Sequence, residues 1–511
     1  MTTEVVEVKV GSYLLETLTT GMYENGFHCI REYVQNAFDG INDAIAAGNV
    51  LPGEGRITIS ITGHAQRPSL SVRDNGSGVA VADVADRLIS IGNSSKNPRK
   101  HAGFRGIGRL AGIAYCSLLR FKTSVAGESV ASIVEFDCSK ARGLMAAGAV
   151  PRPLQKIILD CISIRQEREQ TGAHYMLVEM VRLNGMGLEF ADKEELERYL
   201  SQQCPVEYLS AFPYATKIEA AAARFKTAIP TVAIELKHRR DSSFVRKPYL
   251  KTIITRNDRP GKEDTKSILR DIETFGSEEH GWFGWIGITD FPGKIKDDKI
   301  SGIRFRQKNI KIGDSSILEH IAGRTQAPTN RALLSWVVGE MFVFDPKVVP
   351  NARRDGFEDS PEWRAIERDM QEVIKVIVKH VRTTSTRRNK LTKIDRIVRD
   401  AKNKADSAED GKLSKQSIET LDAQLDKQLQ DISKALQKGA DPEGSAKLVS
   451  EIKELREKLK KMPVKEPELA PQWAESLREI KQILTDELTP AVARRIYGRI
   501  EKVLLPLSKQ G

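Results

Sequence analysis

A chain of 511 residues with 40% hydrophobic and 29% charged side chains is too long for a single core, so two or three globular domains are expected. No uninterrupted apolar run approaches the roughly 20 residues that span a bilayer. The acidic, alternating start MTTEVVEVKVG resembles neither a secretory signal nor a mitochondrial presequence, which leaves the cytoplasm as the expected location.

The net charge of +11 raises the question of a nucleic-acid partner, and part of it sits between Lys237 and Lys311, where 18 Lys and Arg face 11 Asp and Glu. A solvated basic face explains such a run equally well. The five cysteines, at 29, 116, 138, 161 and 204, show no CxxC spacing and lie among apolar neighbours, as buried reduced thiols do.

In chain order, residues 4–10 alternate like a strand, a helix follows from Ser12, and a second helix runs from about Met22 to Ala47 before Gly48. Arg56–Thr62 and Ser69–Arg73 are predicted to be an antiparallel pair that delivers Asp74 to a turn, and Val81–Ile91 to be helical. Gly92–Ala102 is rich in turn formers and is expected to be a mobile loop, with a helix resuming over Gly106–Cys116. Strands are then predicted over Ser117–Ser124, Val130–Asp137, Lys156–Ile164 and His174–Met180. These elements predict an α/β sandwich over 1–187.

A connecting helix, Asp192–Leu200, leads into a second α/β region with strands near Thr231–Leu236, Gly284–Ile288 and Ile303–Ile312, closed by the helix Pro361–Val381; this is the domain expected over 188–381. Beyond Arg382 aromatic residues nearly vanish. Apolar stripes at helical spacing, Ile418, Leu421, Leu425, Leu429, Ile432 and Leu436, then Leu448, Ile452, Leu455, Leu459 and Met462, predict helical hairpins or coiled coils over 382–511. Such stripes expose a seam unless they meet each other or a second copy.

The predicted helix around Arg31–Ile45 separates into two faces. Ile30, Val34, Ala37, Ile41 and Ile45 share one side, and Glu32, Asn36, Asp39 and Asp43 share the other. Alone this is an ordinary amphipathic helix. Downstream, however, stand Asp74-Asn-Gly-Ser-Gly78 and Gly103-Phe-Arg-Gly-Ile-Gly108. A carboxylate at a strand end beside glycines is suited to accept a hydrogen bond from an exocyclic amine such as that of adenine. Glycines opening a helix offer bare amides to phosphate, although the GK[ST] ending of a P-loop is missing. Asn36 is placed to hold Mg²⁺ through its amide oxygen, and Glu32, one turn earlier, to polarise a water.

These three motifs, in this order, resemble the N, G1 and G2 boxes of the GHKL ATPase superfamily, and Arg31-Glu-Tyr-Val-Gln-Asn-Ala-Phe-Asp39 is most similar to its heat shock protein 90 branch. Val349-Pro-Asn-Ala-Arg-Arg-Asp355 resembles the middle-domain loop of that branch. The resemblance implies a Bergerat-type α/β sandwich, a middle (transducer) domain, and ATP with Mg²⁺ as ligands. It further implies Glu32 as general base, Asn36 as metal ligand, Asp74 as adenine reader, and Arg354, with Arg353 as the less favoured candidate, as the arginine sent to the γ-phosphate. Asn93–Ala102 becomes a lid, with Ser94, Ser95 and Lys96 facing nucleotide. Asp39, Gly76, Gly78, Gly103, Phe104, Gly106, Ile107, Gly108 and Thr171 complete the implied set.

Two departures stand out. Thr171-Gly172-Ala173 replaces the family's Gly-Thr before the last nucleotide-facing strand, and Lys308 keeps open the lysine used by gyrase and MutL relatives. The expected activity is an ATP-driven homodimeric clamp closing on a client protein; the alternative is a MORC- or MutL-like clamp on nucleic acid.

Overall fold

The computed structural model describes residues 25–90, 101–103, 106, 108–146, 150, 152–256, 263–408, 411–437, 442–464 and 471–507. The strand expected at 4–10, the helix from Ser12, the first residues of the helix from Met22 and most of the loop 92–102 lie outside them. The chain forms a mixed α/β unit, residues 1–381, and a helical unit, residues 382–511.

The first unit is organised by an eight-stranded sheet. Its strands are β1 (Arg56–His64), β2 (Arg67–Asp74), β3 (Cys116–Ser124), β4 (Val130–Asp137), β5 (Ile162–Arg168), β6 (Tyr175–Leu183), β7 (Ala233–His238) and β8 (Asp241–Phe244). Their order is β5-β4-β3-β6-β2-β1-β7-β8, and only β1 and β7 pair in parallel. The expected strand pair is β1–β2, with Ile57 opposite Asp74.

Two features differ from expectation. The segment Lys156–Ile164 is divided: Leu154–Cys161 is a helix and the strand starts at Ile162. The reason is visible in its spacing, because Leu154, Ile157, Ile158 and Cys161 all bury on one helical face, whereas a strand would turn Ile157 and Ile158 to opposite sides. The boundary expected at 187 falls within one sheet, since β7 and β8 extend the sheet from β1. Helix Lys193–Gln203 leads there, capped by Asp192, whose Oδ1 accepts from the amides of Glu194 (3.0 Å) and Glu195 (3.1 Å).

Residues beyond β8 build a two-stranded ribbon, β9 (Thr252–Thr255) with β10 (Thr265–Ile268), and a five-stranded sheet. That sheet comprises β11 (Asp271–Ser277), β12 (Trp282–Ile288), β13 (Gly302–Gln307), β14 (Ile310–Ile312) and β15 (Val338–Val343) in the order β11-β12-β15-β13-β14. The stretch Ile303–Ile312 is therefore a hairpin, turned at Lys308 and Asn309, both with positive φ. Trp363, Ile366, Met370, Ile374, Ile377 and Val381 pack into its core from the helix that begins at Pro361 and runs on to Asp406.

In the second unit, helices Lys415–Gln437 and Pro442–Lys461 turn their stripes toward each other and toward Ile394, Val398, Ala401 and Ala405. Leu425, Ile432 and Ile452 are completely buried there. Of the two ways of covering the seam, these two stripes show the first, packing on each other within the chain. Helices Pro471–Glu487 and Pro490–Leu507 follow, and no helix of the described residues is long and apolar enough to cross a membrane.

Candidate functional site

Helix His28–Ala46 packs on β1, β2 and the tight three-ten turns of Gly108–Ala114. Its buried side includes Ile30, Val34, Ala37 and Ile41; Glu32 and Asn36 on the other side are half-buried, and Asp39 is fully buried. Tyr33 fastens the helix to the turns, because its hydroxyl accepts from the Gly112 amide (2.9 Å) and donates to the Arg109 carbonyl (3.1 Å). Burial raises the Tyr33 pKa well above the ordinary phenol value, so the hydroxyl stays neutral and keeps both bonds.

The glycine loop lies directly on the polar face of this helix. Asp39 accepts from the amides of Ala102 (2.7 Å) and Gly103 (2.9 Å), one through each carboxylate oxygen. A Cβ at Gly103 would stand 2.8 Å from Oδ1 of Asn36, and one at Gly108 would stand 2.6 Å from Oε2 of Glu32. Gly106 adopts φ +71°, which L side chains rarely do. Gly103 and Gly108 let the backbone approach the amide and the carboxylate this closely, and Gly106 supplies the positive φ between them. Arg109 follows immediately; its Nε and Nη2 are buried with no hydrogen-bond partner among the described residues, and burial, then the nearby Arg87, lower its pKa to about 10. A buried guanidinium with no carboxylate paired to it among the described residues, beside a glycine loop, suits an anionic ligand.

Asp74 ends β2, 5% exposed, with Oδ1 accepting from the amides of Gly76 (2.8 Å) and Met176 (3.4 Å). The turn is docked on the helix: Ser77 donates its amide to the Gly40 carbonyl (2.9 Å), and a Cβ at Gly76 would be 2.5 Å from the Gly40 backbone. Gly78, with φ +68°, passes so near Ser124 that a Cβ would sit 2.0 Å from its carbonyl oxygen. Thr171 stands apart from this arrangement, exposed in the turn before β6, its carbonyl accepting from Gly127 (2.7 Å). The buried hydroxyl near the Asp74 turn belongs instead to Thr123, which accepts from Val79 (2.8 Å) and donates to the Tyr175 carbonyl (2.9 Å). Sequence reasoning missed Thr123 because nothing in a β-rich stretch distinguishes one inward threonine from another.

The loop 349–355 brings Arg354 to the helix. Arg354 is 8% exposed, its Nε lies 3.7 Å from Oε1 of Glu32, and its guanidinium also donates to the carbonyl of Ala102. Arg353 is exposed. Lys308 lines a different cavity, of about 180 Å³, with Thr227, Pro230, Phe342 and Phe344. Arg31 flanks the same carboxylate, its Nη2 being 3.3 Å from Oε1 of Glu32.

A second lysine, Lys311 on β14, was not anticipated. Burial, then the charges of Arg304 and Arg306, lower its pKa to about 7, with a smaller contribution from Arg31. Its only trace in the sequence is a charge between Ile310 and Ile312 in an alternating strand. His28, at the start of the helix, is pushed down to about 3 by burial and by the charges of Arg31 and Lys311. Glu32, Asn36, Asp39, Gly103, Gly108 and Arg354 are therefore brought together, and the Asp74 turn is seated on the same helix through Gly76, while Gly78 packs on Ser124 of β3. Ser94, Ser95, Lys96, Phe104 and Ile107 lie outside the described residues.

Residues 23–157 match the family model for histidine kinase-, DNA gyrase B- and HSP90-like ATPases. The matched span contains the helix, the Asp74 turn and the glycine loop, and it supports an ATP-binding domain of the GHKL type in this part of the chain. No curated protein matches the chain.

Proposed function

We propose that this chain hydrolyses ATP to ADP and phosphate in the site on helix His28–Ala46, and that Arg354 takes part in the step. The observation that carries this reading is the meeting of Glu32 with Arg354, which joins the helix to a loop far along the chain. Glu32 acts as the general base for water, and Arg354 is available to charge that develops on the terminal phosphoryl group. Asp74 receives the adenine amine, while the backbone at Gly103, Gly106 and Gly108 and the side chain of Arg109 face the phosphates. Asn36 would hold Mg²⁺, whose chemistry is to neutralise phosphate charge. The amide oxygen of Asn36 beside Gly103 is a hard donor of the right type for that ion.

The engagement of an arginine, with Lys308 lining another cavity, favours a mechanism of the heat shock protein 90 kind over the lysine-dependent gyrase and MutL kind. In that reading two copies close on a client protein when ATP is bound. The test is direct: phosphate release by the full chain should require Mg²⁺ and cease in Glu32→Ala, while equilibrium binding of ATP persists in that variant. Turnover undiminished in Glu32→Ala would remove this site from the reaction.

A further inference from the structure

A surplus of positive charge as large as that between Lys237 and Lys311 is packed into one much shorter helical segment. Between Arg382 and Lys404 there are nine Lys and Arg against two Asp, a surplus of seven in a chain whose net charge is +11. From Ala405 to Gly511 the balance is 19 against 19. The surplus is therefore a property of the helical segment that opens the second unit, not of the unit as a whole.

That helix has one committed side. Ile394, Val398, Ala401 and Ala405 are buried against the next two helices, so the arc opposite them faces solvent. Lys393, Arg396, Arg399 and Lys404 stand exposed on or beside that arc, as does Arg382 about three turns before Lys393, with Arg387 and Arg388 half-buried between them. Arg396 pairs with Asp400 at 3.9 Å and Arg399 with Asp395 at 3.0 Å, both within one turn and both in solvent, where such pairs hold little. Lys390 reaches Asp431 at 3.2 Å. From Arg382 to Lys404 the stripe is about 33 Å long at 1.5 Å per residue.

We infer that this stripe is a docking surface for the phosphate backbone of a nucleic-acid duplex. Its length is close to the roughly 34 Å of one duplex turn. Duplex rather than single strand follows from composition, because no aromatic residue occurs between Arg382 and Gln472 and bases would have nothing to stack on. A lipid surface is disfavoured because no large apolar side chain is exposed between Arg382 and Asp406 among the described residues, so the helix has no wedge to insert. The contact reads phosphate and carries no sequence preference. It goes beyond the ATPase reading and does not depend on it.

The test uses the full chain without nucleotide and a fluorescein-labelled duplex DNA of roughly 20 base pairs, followed by anisotropy across a salt series. The triple variant Lys393→Gln, Arg396→Gln, Lys404→Gln should bind at least about tenfold more weakly at 0.1 M salt. Its log–log salt slope should fall by about two to three, since each neutralised phosphate contributes roughly 0.9. Lys393→Arg with Lys404→Arg should retain binding. Lys412→Gln, Lys415→Gln, Lys434→Gln, which removes the same charge elsewhere in the unit, should leave it within about twofold. Equal losses in the two triple variants, a wild-type slope in the first, a single strand bound as tightly as the duplex, or anionic phosphatidylserine vesicles bound through the same residues would each overturn the inference.

Discussion

Nε of Arg354 stands 3.7 Å from Oε1 of Glu32, and the same guanidinium holds the carbonyl of Ala102, whose amide in turn is held by Asp39. One side chain thus touches both the carboxylate on the helix and the backbone entering the glycine loop. Arg354 has φ +58°, and its carbonyl accepts from the Gly313 amide at 2.7 Å, so the loop is braced against the β14 side when it presents the arginine.

Glu32→Ala is expected to bind ATP with little change and to turn over about 10²–10⁴ more slowly, the usual contribution of a positioned base. Isothermal titration with ATP and a phosphate-release assay on the same preparation separate the two effects.

Arg354→Ala should reduce kcat by roughly 10²-fold or more, since a guanidinium acting on developing charge works in the transition state. Arg353→Ala should be near wild type because Arg353 is exposed. Steady-state kinetics of the two variants side by side check this. The opposite ranking would mean that the loop shifts by one residue before catalysis.

Asp74→Asn should weaken ADP binding by about 1–3 kcal/mol, because the amide offers NH₂ where an acceptor is required. Its remaining oxygen can still receive the Gly76 amide, so the melting temperature should hardly move. Calorimetric affinity and thermal unfolding measured together distinguish a ligand contact from a turn residue; loss of melting temperature with intact affinity would assign Asp74 to the turn alone.

Acid should destabilise the first unit through His28. Its pKa is lowered to about 3 in the folded chain by burial and by Arg31 and Lys311, against about 6.5 when unfolded, so the unfolded state binds more protons between those values. Stability is complete above about pH 6.5 and falls as the pH drops toward 3, by at most about 1.4 kcal/mol per pH unit. His28→Gln should flatten this limb in denaturant titrations taken at pH 7 and pH 5. An unchanged pH dependence would assign the acid sensitivity elsewhere.

Glu340 is the centre of a fully buried network in the five-stranded sheet region. It accepts from Lys247 Nζ at 2.8 Å, from Arg306 Nε and from the Tyr208 hydroxyl. Burial raises its pKa, but the two cations outweigh that and hold it below the usual carboxylate range. Glu340→Gln leaves two buried cations without a counter-charge and should cost about 3–5 kcal/mol. Lys247→Met, which keeps the Arg306 pair, should cost clearly less. Urea unfolding of both variants checks the ranking.

Local chemistry is why the helix faces, the Asp74 turn and the glycine loop are legible from the order of residues, whereas the arginine loop is legible only through the resemblance of Val349–Asp355 to a known family. Glu32, Asn36 and Asp39 share a face because a helix repeats every 3.6 residues, and Gly78 and Gly106 announce positive φ because few other residues accept it. Apolar run length alone did not separate helix from strand at Lys156–Cys161, where the four-residue spacing was the better signal. Only the tertiary structure decided the long-range matters: that β7 joins β1 in parallel across the expected boundary, that Arg354 rather than Arg353 meets Glu32, that Lys308 lines another cavity, and that the C-terminal stripes fill one another. Each of these depends on which distant surfaces meet, and that is settled by packing over the whole core, where a one-residue change of register exchanges a buried guanidinium for an exposed one.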